Sequence, residues 1–350
     1  VIRWALEMVG MPIDGSGCLV TGSSMANFIS VITASRAKMP ELRNRGVSGP
    51  RMVGYAATTA HGCLPRAFDL AGFGSDSLRR VPVTAEHQMD IRALREMIVA
   101  DMAAGHTPFM IAGTAGTVDC GAVDDLEAVY AVAREFDLWF HVDAAFGALA
   151  CLSHTYAPLL AGIDKADSLA FDFHKWAQFP YDAGCVLVRD RTLHAAAFTQ
   201  SLDYLKREER GLAGNAPWFC DFGPDLSRGF RALKVWMTLG HYGAHRMGQM
   251  VDDCCAVARH LRDRIEATEG LTLLAPVTLN IVCFGVDALS DAEVSELVQD
   301  LHESGIAAPS TTRIHGRLAI RAAIVNHRTP SRDFDRLLAG DTSLCGQPVR

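Results

Sequence analysis

Two short apolar runs in this 350-residue chain each end on a carboxylate. Trp139-Phe140-His141-Val142 delivers Asp143, with Ala144 and Ala145 after it. Ser168–Phe171 delivers Asp172, and His174-Lys175-Trp176 follow at once. Such runs read as buried strands, and α/β proteins bind ligands outside the carboxyl ends of parallel strands. A carboxylate is costly there without a cation or donors, so Asp143 either caps a helix or meets a bound positive charge. A lysine among Phe173, Trp176 and Phe179 would be partly desolvated, which lowers an amine's pKa and frees it for Schiff-base chemistry. An ordinary surface lysine is the alternative. Thr21-Gly22-Ser23-Ser24-Met25 adds a glycine and two hydroxyls at a helix start, either a plain N-cap or a phosphate cradle. It is neither a Walker A loop nor a Gly-x-Gly-x-x-Gly turn, so a nucleotide is not indicated.

A phosphate cradle, a lysine nucleophile and a strand-end carboxylate together match the needs of pyridoxal 5′-phosphate (PLP). An aspartate beside the pyridine nitrogen keeps it protonated, and the cationic ring accepts electrons released at a substrate α-carbon.

These residues need a scaffold that gathers strand ends. The first two-thirds of the chain alternates β-rich runs with amphipathic helices, the pattern of a mostly parallel sheet covered on both faces. Strands are predicted at 51–55, 77–82, 109–113, 138–142, 168–172 and 185–188, and helices at 91–103 and 126–136. Gly211–Pro224 reads as a loop. A long helix follows over 230–268, broken near Gly240 and Gly243. Strands at 271–275, 280–284 and 316–322 and a helix at 291–304 then suggest a smaller α+β domain. The expected division is a large PLP-binding domain over 1–240 and a small domain over 241–350.

Composition narrows the partners. A net charge of −7 favours neither nucleic acid nor an anionic membrane, and no apolar run approaches the ~20 residues that span a bilayer. Val1-Ile2-Arg3-Trp4 does not read as a signal peptide, so a soluble, cytoplasmic protein is expected. The ten cysteines are scattered without a Cys-x-x-Cys pair and read as reduced structural thiols. His241 and His245 lack the Glu of a His-Glu-x-x-His site, so no metal is expected.

The motif His141-Val142-Asp143-Ala144-Ala145, then Asp167-Ser168 and His174-Lys175-Trp176, resembles the group II PLP-dependent amino acid decarboxylases. This is the fold-type I family of the aromatic amino acid and glutamate decarboxylases. The resemblance runs from about Val1 to Phe284 and includes Arg228–Trp236. It implies a large domain with a seven-stranded sheet, Lys175 as the Schiff-base lysine and Asp143 as partner of the pyridine nitrogen. It also places Ala145 near the ring, His174 on the phosphate side, and His61, in Thr59-Ala60-His61-Gly62, stacked on the cofactor. Gly22, Ser23 and Ser24 become the phosphate turn.

Ser201–Lys206 is similar to the family's mobile catalytic loop, with Tyr204 as the proton donor after carbon dioxide leaves. Members with phenylalanine there tend toward aldehyde formation, so Tyr204 favours plain decarboxylation. Val118 stands where the best-studied members carry a second threonine, a contact left to Thr117 or Thr114. Asp172 replaces a frequent asparagine and must turn away from the phosphate or pair with a cation. The family's helical N-terminal arm is absent, which reads as a trimmed or partial sequence. The implied protein is a homodimer that decarboxylates an L-amino acid, aromatic ones among the candidates. Another PLP reaction on this fold (aldehyde synthase, carbon–carbon lyase, transaminase) or a catalytically incomplete member is the alternative.

Overall fold

The protein is described by a computed structural model over residues 1–200, 210, 211, 214 and 218–344. In chain order its first elements are α1 (Ile2–Met8), β1 (Ser16–Val20), α2 (Ser23–Lys38), α3 (Leu42–Arg45), β2 (Met52–Ala57) and α4 (Cys63–Leu70). Then come β3 (Leu78–Val81), α5 (Ile91–Ala103), β4 (Thr107–Thr114), α6 (Leu126–Glu135), β5 (Trp139–Asp143), β6 (Ser168–Asp172), β7 (Gly184–Val188) and α7 (Arg191–Phe198). The last third carries α8 (Arg231–Glu266), β8 (Leu271–Leu273), β9 (Ile281–Val286), α9 (Asp291–Ser304), β10 (Ser310–Ile314), β11 (Arg317–Ala323) and α10 (Ser331–Leu344).

Among the described residues seven strands form one sheet in the order β1-β7-β6-β5-β4-β2-β3. β3, β2, β4, β5 and β6 run parallel, whereas β7 is antiparallel to both β6 and β1. The mostly parallel sheet is therefore as expected. Its unanticipated member is β1, Ser16-Gly17-Cys18-Leu19-Val20, every residue of which is buried. A second sheet, β10-β11-β9-β8, is antiparallel throughout.

Local chemistry sets the helix ends. Asp90 accepts the N–H groups of Arg92 and Ala93 to start α5, and Asp125 accepts that of Ala128 to start α6. Ser290 and Glu293 form a capping box for α9, which stops at Gly305 in the left-handed region. α8 keeps its continuity past Gly240 and departs from helical geometry at Gly243 (φ +77°). Its second half buries Met247, Val251, Cys255, Ala258, Leu261 and Ile265 in a core shared with β9 and β11. No helix among the described residues is long and apolar enough to cross a membrane.

Because the parallel strands point the same way, β1, β2, β4, β5 and β6 bring their carboxyl ends to one edge. α2 lies across that sheet, its Ala26 and Ile29 packed with Cys18, Ala170 and Val186.

Not every buried polar group belongs to that edge. His194 of α7 bonds the Phe222 carbonyl through Nε2 (3.0 Å) and the Ser16 hydroxyl through Nδ1 (2.9 Å). A carbonyl only accepts, so Nε2 carries the proton and Nδ1 accepts from Ser16. Burial holds this imidazole down to about 4, against an ordinary value of 6.5. The unfolded chain binds a proton below about 6.5 that the native chain refuses until about 4, so acid favours unfolding by about 1.4 kcal/mol per pH unit in that window. Urea unfolding at pH 7 and pH 5 is expected to show that loss, with a shallower pH slope in His194→Gln.

Candidate active site

Asp143 closes β5 and is only 3% exposed. Its Oδ1 accepts the Ala145 N–H (3.1 Å) and its Oδ2 the side-chain amide of Asn27 (3.2 Å), with the Cys63 sulfur 3.8 Å from Oδ2. Burial pushes the carboxyl pKa up; the Ala145 N–H and then the charges of Lys175 and His61 pull it back. A buried carboxylate with two N–H donors can take a cationic partner in place of water.

β6, next in the sheet, ends on Asp172, 2% exposed. Its Oδ1 accepts the Ser23 backbone N–H at 2.7 Å, at the start of α2. Its Oδ2 lies 3.0 Å from Lys175 Nζ, and its Oδ1 3.9 Å from His174 Nε2. Asp172 thus pairs with a cation, one of the two arrangements its charge permits beside a phosphate turn. Lys175 Nζ also reaches the Ser23 hydroxyl (3.4 Å).

Lys175 itself is partly buried. Phe173, Trp176 and Phe179 are buried, but they pack inward: Phe173 stacks on Phe179 and Trp176 on Phe146. The lysine side chain is 37% exposed and ion-paired. The aromatic residues on either side of Lys175 anchor its loop through these stacked pairs.

His174 accepts the Ala183 N–H through Nδ1 (2.9 Å), which leaves its Nε2 as the protonated nitrogen toward Asp172, and burial keeps it mainly neutral. His61, exposed before α4, accepts the Cys63 N–H through Nδ1 (3.1 Å), so its neutral form also carries the proton on Nε2. Ala145 is half-buried and its carbonyl accepts the Asp172 N–H. Ser23 is buried and Ser24 exposed at the start of α2. Tyr204 lies outside the described residues.

Thr117 and Thr114, the two candidates for the second-threonine contact, sit differently. The Thr117 hydroxyl closes its own turn, accepting the Ala122 N–H (3.0 Å) and lying 3.4 Å from Cys120 Sγ. Thr114 pairs with Asp143 across β4 and β5, and its buried Oγ1 has no hydrogen-bond partner. An orphaned hydroxyl beside a buried carboxylate suits a polar ligand at this edge. With the amine of Lys175 and the hydroxyls of Ser23 and Ser24, the residues present fit PLP.

Three contributors escaped sequence reasoning: Asn27, Cys63 and Gly184. Asn27 is a fully buried amide on a helix face it shares with Ser23, Ser30 and Val31, and only the fold shows that its partners are Asp143 and His141. Gly184 is legible only in three dimensions. A Cβ there would stand 2.4 Å from Gly22 Cα, whereas one on Gly22 would meet nothing closer than 3.7 Å. Gly184→Ala is therefore expected to displace the Gly22–Ser24 turn, costing about 1–3 kcal/mol in thermal unfolding. Gly22→Ala is expected to leave folding nearly unchanged.

The model of the pyridoxal-dependent decarboxylase conserved domain matches residues 1–287. The aromatic-L-amino-acid decarboxylase of Bacillus atrophaeus is 31% identical over 345 residues, covering 96% of this chain and 70% of that protein. Tryptophan decarboxylase 1 of Oryza sativa subsp. japonica is 28% identical over 347 residues, covering 92% of this chain and 67% of that protein. The crystal structure of Oryza sativa TDC with PLP and tryptamine superposes with a TM-score of 0.90 at 26% identity, covering 98% of this chain and 75% of that one.

Proposed function

The chain belongs to the pyridoxal-dependent decarboxylase family, a PLP-dependent carboxy-lyase of amino acids, and from that premise we propose that its substrate is an aromatic L-amino acid and that Lys175, Asp143, His61 and Tyr204 carry the chemistry. The observation that carries the site assignment is the convergence of Lys175, Asp143 and the Gly22–Ser24 turn at one sheet edge. The aromatic substrate class rests on the two decarboxylases reported above.

Bound PLP supplies an electron sink for the pair left when the α-carboxylate departs. Lys175 would hold the cofactor through its amine and release it to the incoming substrate. Asp143 would present its negative charge to the pyridine nitrogen. Ser23, Ser24 and His174 would hold the phosphate, and Lys175 offsets the charge of Asp172 there. Of Thr117 and Thr114, Thr114 offers a hydroxyl without a hydrogen-bond partner at the cofactor edge. His61, with its proton on Nε2, and Tyr204 are the groups that return a proton to the α-carbon.

The working unit in this reading is a cytoplasmic homodimer. Phe230, Leu233, Trp236 and Met237, all exposed near the start of α8, give the apolar surface a partner subunit would cover. The test is a panel of L-amino acids assayed together for carbon dioxide, amine, ammonia and hydrogen peroxide. Equal carbon dioxide and amine from aromatic substrates is the expected result. Aldehyde with ammonia and peroxide would mark an aldehyde synthase, and turnover of acidic substrates alone would overturn the aromatic assignment.

A further inference from the structure

Trp139, His141 and Asp143 alternate along β5 and so share one face of the sheet, the face α2 covers. A line of buried hydrogen bonds joins them. Trp139 Nε1 lies 2.8 Å from Ser168 Oγ, which lies 2.9 Å from His141 Nδ1. His141 Nε2 lies 2.6 Å from Asn27 Oδ1, and Asn27 Nδ2 lies 3.2 Å from Asp143 Oδ2. Asn27, His141 and Ser168 are fully buried.

The direction of this line follows from which atoms can donate. An indole N–H only donates, so Ser168 Oγ accepts from Trp139. An ionised Asp143 only accepts, so Asn27 must turn its NH₂ toward it and its carbonyl toward His141. His141 must then hold its proton on Nε2, leaving Nδ1 to accept the Ser168 hydroxyl. Burial keeps this imidazole neutral, holding it down to about 3. Every donor along the line therefore points toward Asp143, and aligned bonds polarise one another.

The reverse order is also available, because the Ser168 carbonyl lies 3.1 Å from His141 Nδ1 and can accept from it. That order brings Asn27 Oδ1 against Asp143 Oδ2, which two acceptors tolerate only with a proton between them. The titratable groups facing Asp143 from other elements are Lys175, His61 and the Cys63 thiol.

We infer that Asn27 and His141 are positioning residues: the Nε2–H tautomer of His141 orients the Asn27 amide, and that amide holds Asp143 as the anion the cofactor requires. This rests on the assignment of Asp143 to the cofactor.

The test uses the holoenzyme. Nitrogen-15 NMR of labelled histidine, with His141 identified by loss of its signal in His141→Phe, is expected to show a neutral Nε2–H imidazole across about pH 6–8. A proton on Nδ1, or a charged ring, would overturn the inference, and this readout needs no variant beyond the one used for assignment. Asn27→Ala is expected to raise the cofactor Kd about 10- to 100-fold, as loss of a hydrogen bond to a charged group does. The loss should largely vanish when Asn27→Ala is added to Asp143→Ala, whereas a merely structural role gives additive losses. His141→Gln, which keeps a donor toward Asn27, is expected to recover part of the affinity that His141→Phe loses. A normal Kd in Asn27→Ala beside a raised one in Asp143→Ala sinks the relay alone. A normal Kd in Asp143→Ala sinks the cofactor assignment beneath it.

Discussion

Lys175→Ala is expected to lose the visible absorbance of lysine-bound cofactor and to lower turnover by about 10³-fold or more, the scale for losing a covalent nucleophile. The same substitution should also weaken the cofactor-free fold, for a separate reason. Asp172 is buried, and its cation is Lys175 at 3.0 Å. Removing that cation leaves the carboxylate facing only the Ser23 N–H, with His174 3.9 Å away. Because the lysine is itself partly exposed, the loss should fall near that of one charged hydrogen bond, about 1.5–3 kcal/mol, and below that of a fully buried pair. Lys175→Arg separates the two effects. A guanidinium can keep the pairing with Asp172, and it remains protonated and forms no Schiff base. Thermal unfolding of the cofactor-free Arg variant should return toward wild type while absorbance and turnover stay lost. An unchanged PLP spectrum in Lys175→Ala would remove Lys175 from the chemistry.

The order in which these residues became legible has physical causes. Asp143 and Lys175 could be read from sequence because each follows an apolar run bounded by small or polar residues, and β6, α5 and α9 lie where the pattern places them. β1 could not, since Ser16-Gly17-Cys18 looks like a turn until β7 covers it. β10 could not either: Ser310-Thr311-Thr312-Arg313 is a largely exposed edge strand without apolar alternation. The aromatic residues around Lys175 were visible, yet sequence does not say which way a side chain turns. Phe173, Trp176 and Phe179 turn to the core, and the amine pairs with Asp172. Thr117 and Thr114 are equally plausible in one dimension; only the turn at 117–122 shows that Thr117 is already engaged. The need for Gly184 arises from the close approach of Gly22, distant in the chain, and no local pattern records it.

Asp143→Asn is expected to move turnover and stability in opposite directions. If Asp143 faces the pyridine nitrogen as proposed, losing its charge should lower kcat by at least about 10²-fold, the scale for removing one preorganised charge contact. Covalent attachment through Lys175 should persist, so the absorbance of lysine-bound cofactor remains, shifted with the ring's protonation. In the cofactor-free protein the same carboxylate is a liability. Burial raises its pKa, so the native chain keeps a proton that the unfolded chain has already released above the ordinary value of 3.8. Stability from this group is therefore full at low pH and is lost as pH rises through the folded pKa. A neutral amide abolishes that slope, and Asp143→Asn apoprotein should melt at or above the wild-type temperature near pH 7 and show less change between pH 4 and 7. In the proposed site PLP would reverse the balance, since a cationic ring would stabilise the anion in place. Cofactor should accordingly raise the melting temperature far more in wild type than in Asp143→Asn. Equal shifts in the two proteins would mean that Asp143 does not face the bound ring, whatever the activity shows.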